Sequence, residues 1–475
     1  MAKNKSFYVC GECGYKSSKW MGKCPQCNEW GTFEEEIEIT SAGAPVVSSA
    51  VSVKETAEKV YSFSDIKMED MYRYKTGVEE FDRVLGGGLL QGEVVLVTGN
   101  PGIGKSTLLL QVADKYTSYG TVIYISGEES PSQVKNRGER LKINAKDLFL
   151  MAETDVSSIY EYLIAKKPKV VIVDSIQTLY NSSLDSIPGT PTQIRECTLK
   201  IIELAKKYNI SFFIVGHITK DGKVAGPKML EHMVDAVFNF EGEEGLFYRI
   251  LRSTKNRFGS TNEIGIFEMK NGGLSEVDNP SEIFLEERLK NSSEYFLSER
   301  DEKNAGSMVV PVLEGTKVFL LEIQTLLTES SVGIPKRIVQ GFDRNRIQIL
   351  TAIAEKKMHM SLAMKDMFVN IPGGLNIEDP AADLAVLISL LSVYRGVEIS
   401  QKIAAIGELG LRGEIRKVFF IEKRLKELEK LGFKGVYIPE ANRKEIEKNS
   451  NKYKLKLIYL KNLEELLERM NKDGQ

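Results

Sequence analysis

The sequence has no dominant charge, no long apolar run and few cysteines, and each shortage removes a class of protein. Its 475 residues carry 64 lysines and arginines against 66 aspartates and glutamates, a net charge of −2. No global basic field exists, so any contact with a polyanion has to come from local basic loops. No apolar stretch reaches membrane-spanning length; the best candidate, Leu384 to Tyr394, reads as a buried helix. The opening residues, Met-Ala-Lys-Asn-Lys-Ser, lack the apolar core of a secretory signal. The expectation is a cytoplasmic protein without membrane association, in a compartment where thiols stay reduced. At 42% hydrophobic and 27% charged residues the composition is that of a globular chain, long enough for two or three domains.

What is present is organised around Gly99-Asn100-Pro101-Gly102-Ile103-Gly104-Lys105-Ser106-Thr107. This G-x-x-x-x-G-K-[ST] pattern follows an apolar run, Val94 to Val97, and opens a helical pattern at Leu108. Glycines let the backbone wrap a phosphate chain, so that successive N–H groups and the helix N-terminus bind the anion. Lys105 is placed to reach the β- and γ-phosphates, and the Ser106 hydroxyl to ligate Mg²⁺. The implied ligand is ATP with Mg²⁺. Downstream, Val170-Val-Ile-Val-Asp174 is an apolar strand capped by an aspartate, the arrangement that holds the Mg²⁺ shell. Thr121 to Ser126 and Ile210 to Gly216 read as further strands, ending at Gly127-Glu128-Glu129 and at His217. Strands alternating with helices imply an α/β fold with a mostly parallel sheet and the ligand at the carboxyl ends of its strands. Hydrolysis needs a base or an orienter for water, and Glu128 or Glu129 is the candidate. His217 is either a γ-phosphate sensor or a satisfied core histidine.

Four of the five cysteines fall in the first thirty residues, as Cys10-Gly-Glu-Cys13 and Cys24-Pro-Gln-Cys27. Two C-x-x-C knuckles a short loop apart supply four thiolates suited to tetrahedral Zn²⁺, and a reducing compartment disfavours the competing disulfide reading. Residues 1–33 therefore read as a zinc ribbon with Trp20, Trp30 and Phe33 packed round the metal, and 34–60 as a tether. Residues 61–282 read as the ATPase domain and 283–475 as another domain. Two segments read as mobile and DNA-directed: Tyr180 to Thr192, and a glycine-rich loop carrying Lys220, Lys223 and Lys228. Cys197, without a nearby partner, reads as a buried apolar residue. In Arg252-Ser-Thr-Lys255-Asn256-Arg257-Phe258-Gly259, Lys255 and Arg257 share a strand face and could reach one anion, such as the γ-phosphate in a neighbouring subunit.

These residues together resemble the RadA (Sms) family of bacterial DNA-repair ATPases over essentially the whole chain. The most particular marks are Lys19-Trp20-Met-Gly-Lys-Cys24-Pro, the phosphate loop and Lys255-Asn256-Arg257-Phe258-Gly259. The central domain is also similar to the RecA and DnaB ring ATPases. That likeness implies Glu128, rather than Glu129, as the catalytic glutamate, with DNA-contacting loops at Tyr180 and Lys220. The C-terminal part resembles the α+β peptidase domain of Lon, through Gly407-Glu408-Leu409-Gly410-Leu411-Arg412-Gly413-Glu414 and Gly435-Val-Tyr-Ile-Pro439. Where Lon carries its nucleophilic serine this sequence has Ala381, and where Lon carries the activating lysine it has Arg424. Alanine has no nucleophilic atom and an arginine stays protonated, so the peptidase pair is lost.

The resemblance implies an ATP-driven motor of homologous recombination and DNA repair. It would bind single-stranded and branched DNA in a ring, expected to be a homo-hexamer, drive branch migration or helicase-like extension, and work with a RecA-type recombinase. Lys105, Ser106, Asp174 and Glu128 would act from one side of a subunit border. Lys255 and Arg257 would act from the other side, or else couple DNA to the ATP site. A nucleotide-gated switch or scaffold that moves nothing is the alternative, and an ATP-dependent protease is disfavoured by Ala381 and Arg424.

Overall fold

Val94-Val-Leu-Val and Val170-Val-Ile-Val are β-branched and apolar on both faces, the composition of strands covered by helices on each side. In the computed structural model both are central strands with every residue buried. The structure describes residues 5–10, 15–38, 72–217, 227–242, 248–277, 281, 305–330, 335–372, 376–448 and 453–473. The chain divides into two units, Met1–Gly242 with Phe247–Glu276, and Glu243–Leu246 with Val277–Gln475.

The first unit begins with a three-stranded antiparallel ribbon of β1 (Lys5–Cys10), β2 (Lys16–Ser17) and β3 (Phe33–Glu38), in the order β2-β1-β3. Glu34 to Glu38, expected to begin the tether, instead pairs with Lys5 to Val9 and continues the ribbon. After β4 (Arg73–Tyr74), α1 (Glu79–Val84) and β5 (Leu89–Leu90), the chain enters a nine-stranded sheet. Its members are β6 (Val94–Gly99), β7 (Val122–Ser126), β8 (Leu148–Met151), β9 (Val170–Asp174), β10 (Ser211–Val215), β11 (Ala236–Glu241), β12 (Tyr248–Asn256), β13 (Ile264–Lys270) and β14 (Gly273–Glu276). The order is β14-β13-β12-β11-β6-β10-β9-β7-β8. From β8 to β11 every pairing is parallel; β12 to β14 return antiparallel. Helices α2 (Lys105–Tyr116), α3 (Pro131–Arg140), α4 (Val156–Lys166), α5 (Pro191–Tyr208) and α6 (Pro227–Met233) complete the layers. The two faces of the sheet carry separate apolar clusters, one around Phe213, Phe238 and Tyr116, the other around Phe212, Ile194 and Leu204. Each fully buried aliphatic side chain in them contributes about 1.5–3 kcal/mol.

The second unit is built on a seven-stranded mixed sheet. Its strands are β15 (Ser307–Glu314), β16 (Lys317–Glu329), β17 (Arg337–Gln340), β18 (Lys365–Asn370), β19 (Ile403–Ala405), β22 (Gly435–Pro439) and β23 (Lys456–Leu460), in the order β17-β18-β16-β15-β19-β22-β23. A separate two-stranded ladder joins β20 (Glu408–Leu409) to β21 (Ile415–Arg416). The helices are α7 (Arg344–Lys357), α8 (Asp383–Arg395), α9 (Ile421–Lys430), α10 (Arg443–Glu447) and α11 (Leu463–Asp473). Helix α8 contains the Leu384–Tyr394 run and is buried from Asp383 to Ser392. No helix among the described residues is long and apolar enough to cross a membrane.

Candidate functional site

The parallel strands bring the sequence candidates to one edge. Gly99 ends β6, Ser126 ends β7 and Asp174 ends β9, all at carboxyl ends. Between Gly99 and α2 the loop needs backbone angles that a side chain resists. Gly99 has φ +142°, and a Cβ there would meet the Phe240 carbonyl oxygen at 2.4 Å. Helix α2 starts at Lys105 with no side-chain cap and no acid in its first turn, which leaves its N–H groups open to an anion. Lys105 is 3% exposed, and its ammonium donates to the carbonyls of Gly99 (2.6 Å) and Asn100 (2.9 Å). Burial pulls its pKa down to about 8, against the upward pull of Asp174 and Glu128. A buried cation beside open helix N–H groups is a donor set that fits a nucleotide triphosphate.

Around it, Glu128 and Glu129 have different partners. Glu129 is bound by the Arg137 guanidinium, and its backbone N–H and C=O both bond the Ser126 hydroxyl. Glu128 faces β9: Ser175 Oγ donates to its Oε1 at 2.6 Å, and His217 Nε2 stands 3.2 Å away. That histidine contact lacks hydrogen-bond alignment, and among the described residues neither imidazole nitrogen has a hydrogen-bond partner. Asp174 accepts a bond from the buried Tyr124 hydroxyl, whose pKa burial and the carboxylate push well above the ordinary tyrosine value. Sequence reading missed Tyr124 and Ser175. A tyrosine inside an otherwise aliphatic strand was the available signal for the first.

Lys255 and Arg257 lie at the other edge. In the register Phe240 pairs with Gly99, Ala236 with Val95, and Asn256 with Ala236. Four residues of strand, about 13 Å, thus separate the Gly99 level from the Asn256 level. Lys255 Nζ donates to the carbonyls of Glu231 (2.6 Å), His232 (3.3 Å) and Val234 (2.9 Å) at the end of α6. Arg257, one residue past the strand, has Nη1 3.6 Å from Asp235 Oδ1. Arg257 lies just past the end of β12 at Asn256, and the two cations stay near each other: burial and the Arg257 charge lower the Lys255 pKa, while Asp235 raises it. The buried Asp235 also accepts from Val94 N and Lys206 Nζ, a hub that the sequence did not announce.

The Tyr180–Thr192 segment, expected to be mobile, is held by hydrogen bonds. Gln193 accepts from Asn181 N and donates to Ser186 O, and Asp155 accepts from Ser182 N. Lys220 and Lys223 lie outside the described residues, and Lys228 falls in α6. Cys197 is fully buried, and burial pushes its thiol up to about 12.

In the ribbon, the sulfurs of Cys10, Cys24 and Cys27 lie within 4.8 Å of one another, with Cys10 Sγ 3.6 Å from Cys27 Sγ. That spacing is too long for a disulfide and close to the edge of a zinc–thiolate tetrahedron, about 3.8 Å for 2.3 Å bonds. Cys13 lies outside the described residues. Phe33 packs on the cysteines as expected, whereas Trp20 and Trp30 are exposed rather than folded round the site.

In the second unit Ala381 is buried in a short 3₁₀ turn, and Arg424, 2% exposed, donates to Asp379 Oδ2 (2.6 Å), Pro311 O (2.5 Å) and Phe419 O (3.2 Å). Asp379 also accepts from Leu313 N and Ala381 N, so all its bonds come from within the unit. A cleft of about 630 Å³ opens beside this turn, lined by Arg346, Asp379, Asp383 and Glu408 among others.

These features define a P-loop ATPase joined to a zinc ribbon and a Lon-type unit. A family model described as KaiC ATPase matches residues 74–153, one described as a rubredoxin metal binding domain matches 8–35, and one described as the Lon protease (S16) C-terminal proteolytic domain matches 346–472. The chain is 48% identical over 443 residues to the DNA repair protein RadA of Bacillus subtilis (strain 168), covering 93% of this chain and 94% of that protein. It is 47% identical over 444 residues to that of Listeria monocytogenes, covering 93% of each. To that of Streptococcus pyogenes serotype M1 it is 45% identical over 440 residues, covering 93% of this chain and 94% of the other. A solved KaiC-like protein from Pyrococcus horikoshii OT3 aligns with a TM-score of 0.37 at 21% identity, over 44% of this chain and 99% of that one. The chain belongs to the family of the DNA repair protein RadA. Its cofactors are ATP and Mg²⁺ at the phosphate loop and Zn²⁺ in the ribbon.

Proposed function

We propose that this chain is a DNA-stimulated ATPase that works as a ring of identical subunits, expected to be six, on single-stranded and branched DNA in homologous recombination. In this reading ATP hydrolysis drives branch migration or helicase-like extension beside a RecA-type recombinase in the cytoplasm. Gly99 to Thr107 hold the triphosphate, Ser106 and Asp174 the Mg²⁺, and Glu128 orients the attacking water. Bound Mg²⁺ supplies charge neutralisation of the phosphates; Lys105 moves from its carbonyl partners to the phosphate oxygens, and Ser175 fixes the Glu128 carboxylate. Lys220, Lys223 and Lys228 meet the DNA backbone.

The observation that carries the ring is the register. Lys255 and Arg257 stand about 13 Å along the sheet from their own phosphate loop, at its far edge. If they serve hydrolysis directly, they serve a neighbour's nucleotide, in the manner of an arginine finger. The same two residues can instead couple DNA to nucleotide, since Lys255 is bonded to the end of α6, the helix into which the lysine loop runs. The Lon-type unit is a scaffold without peptidase activity, because Ala381 offers no nucleophile and Arg424 no base.

The test is ATP turnover with and without single-stranded DNA, for the wild type and Lys255→Ala, with nucleotide binding measured alongside. DNA acceleration in the wild type and its loss in a Lys255→Ala protein that still binds ATP is the expected result. A wild-type rate indifferent to DNA overturns the motor and leaves a nucleotide-gated switch. Casein hydrolysis by the purified protein would overturn the peptidase-inactive assignment.

A further inference from the structure

The ribbon carries a surface that ATP chemistry does not use. Trp20 and Trp30 are the only tryptophans of the chain, and both stand in solvent, 58% and 73% exposed. Aromatic side chains bury about 150–250 Å² each when packed and are normally placed inside or at interfaces. Here two are displayed together. An ideal Cβ on Gly22 would lie 3.6 Å from Trp30 Cζ3 and 3.8 Å from Trp20 Cη2, so both ring edges flank Gly22 and are at most about 7.4 Å apart, the sum of those distances. Gly22, with no side chain, leaves the space between the two indoles free of a Cβ.

Backbone bonds fix the segments that carry the two rings. Gly31 N donates to Gly22 O at 2.8 Å, and Lys23 and Trp30 are bridged in antiparallel pairing. The metal-ligand cysteines Cys24 and Cys27 lie between the two tryptophans in sequence, on the ribbon's inner side. The charge is of one sign: from Tyr15 to Gly31 three lysines, Lys16, Lys19 and Lys23, face a single acid, Glu29. Lys23 Nζ is 5.8 Å from the Trp30 ring centroid, where it would meet a phosphate next to a stacked base. The acids of β3 run the other way, from Phe33 opposite Cys10 to Glu38 opposite Lys5. Among the ribbon residues whose side chains are described, no other large apolar one is exposed.

We propose that Trp20, Trp30 and Gly22, with Lys19 and Lys23, form a stacking cleft for the bases of single-stranded DNA. The proposal rests on the reading above that this chain binds DNA, and adds to it a second contact point on the ribbon. Stacking of this kind is tolerant of sequence, because every base has a π-face.

Because the chain has no other tryptophan, its tryptophan emission, excited apart from that of the tyrosines, reports from this surface alone. The experiment titrates the zinc-loaded full chain with dye-labelled oligothymidylate, reading dye anisotropy and tryptophan emission together. The expected result is quenching that tracks the rise in anisotropy. Trp20→Ala and Trp30→Ala should each weaken binding by roughly five-fold to a hundred-fold. Gly22→Val, which fills the space between the indoles while keeping both, should weaken it too, with zinc content unchanged in all three. A rise in anisotropy without quenching, or wild-type affinity in all three variants, overturns the cleft and leaves DNA binding intact. No rise in anisotropy overturns DNA binding itself, and the cleft with it.

Discussion

Tyr124→Phe removes one oxygen from a fully buried side chain and asks whether the Mg²⁺ carboxylate needs a donor behind it. The hydroxyl donates to Asp174 Oδ2, and Asp174 is itself only 9% exposed. Without that donor the carboxylate loses a fixed orientation, and solvent has little room to replace the bond. Partners of this kind, one shell behind a metal ligand, cost about ten- to a hundred-fold in metal affinity when removed. The expected outcome is a half-saturating Mg²⁺ concentration for ATP turnover raised by about that factor, with the rate at saturating Mg²⁺ within about threefold of wild type. The fold should lose about 1.5–3 kcal/mol in denaturant unfolding, the range for one hydrogen bond to a charged group. Because burial and Asp174 hold the phenol well above its ordinary pKa, the bond persists between about pH 7 and pH 9, and the Mg²⁺ shift should be constant across that range. An unchanged half-saturation point in a folded Tyr124→Phe protein refutes the argument.

Glu128→Gln should retain nucleotide binding while turnover falls by about two to four orders of magnitude, the range for a general base; equal loss in Glu129→Gln would reverse the assignment. Glu93 is buried with Oε1 lacking a partner, and burial raises its pKa to about 7 from an ordinary value of 4.5. The folded state therefore holds the proton more tightly than the unfolded chain, and this contribution is present below about pH 4.5 and lost as pH rises through 7. Glu93→Gln should flatten that decline and stabilise by on the order of 2–3 kcal/mol at pH 8 with little effect at pH 4.5, as read by urea melts. Arg424→Met strands Asp379 and should destabilise the second unit by about 3–5 kcal/mol, and the paired change with Asp379→Leu should recover only part of it, because Leu313 N and Ala381 N then lose their acceptor. Mixing equal amounts of Lys105→Ala and Arg257→Ala chains, each inactive alone, should restore about a quarter of the wild-type rate if Arg257 acts across a subunit border in a random ring, and none if it acts within its own chain.

The parts legible in the sequence were those in which one short segment carries the whole signal. The phosphate loop needs its glycines and lysine at fixed spacing, and β6 and β9 announce themselves as β-branched runs with polar ends. Helix α7 runs over Arg344–Lys357, the same span as its apolar period. What could not be read depends on pairing between distant segments. The antiparallel return of β12 carries Lys255 away from the nucleotide, and no local pattern announces the direction of a strand. Asp235 draws Val94, Lys206 and Arg257 together from three separate elements. Trp20 and Trp30 were expected inside because indoles usually are; a ribbon whose core is three cysteines, Phe33 and a few half-buried neighbours has no volume to take them.

The nine-stranded sheet divides the proposed chemistry between its two edges. At the carboxyl edge the groups stand ready to move: Lys105 is bonded only to the carbonyls of its own loop, and His217 has two unpartnered nitrogens among the described residues. At the amino edge the cations are already engaged, Lys255 by three carbonyls and Arg257 by Asp235. A finger that crosses to a neighbour has to give up those bonds. The bonds Lys255 makes to those carbonyls already have a charged donor, so exchanging them for phosphate oxygens gains only what a charged acceptor adds. In the proposed ring, leaving α6 would require a charged phosphate oxygen across the border to replace the carbonyls that Lys255 now holds. Under that proposal, the nucleotide at one site would be coupled to the contact Lys255 makes with α6 in the next subunit.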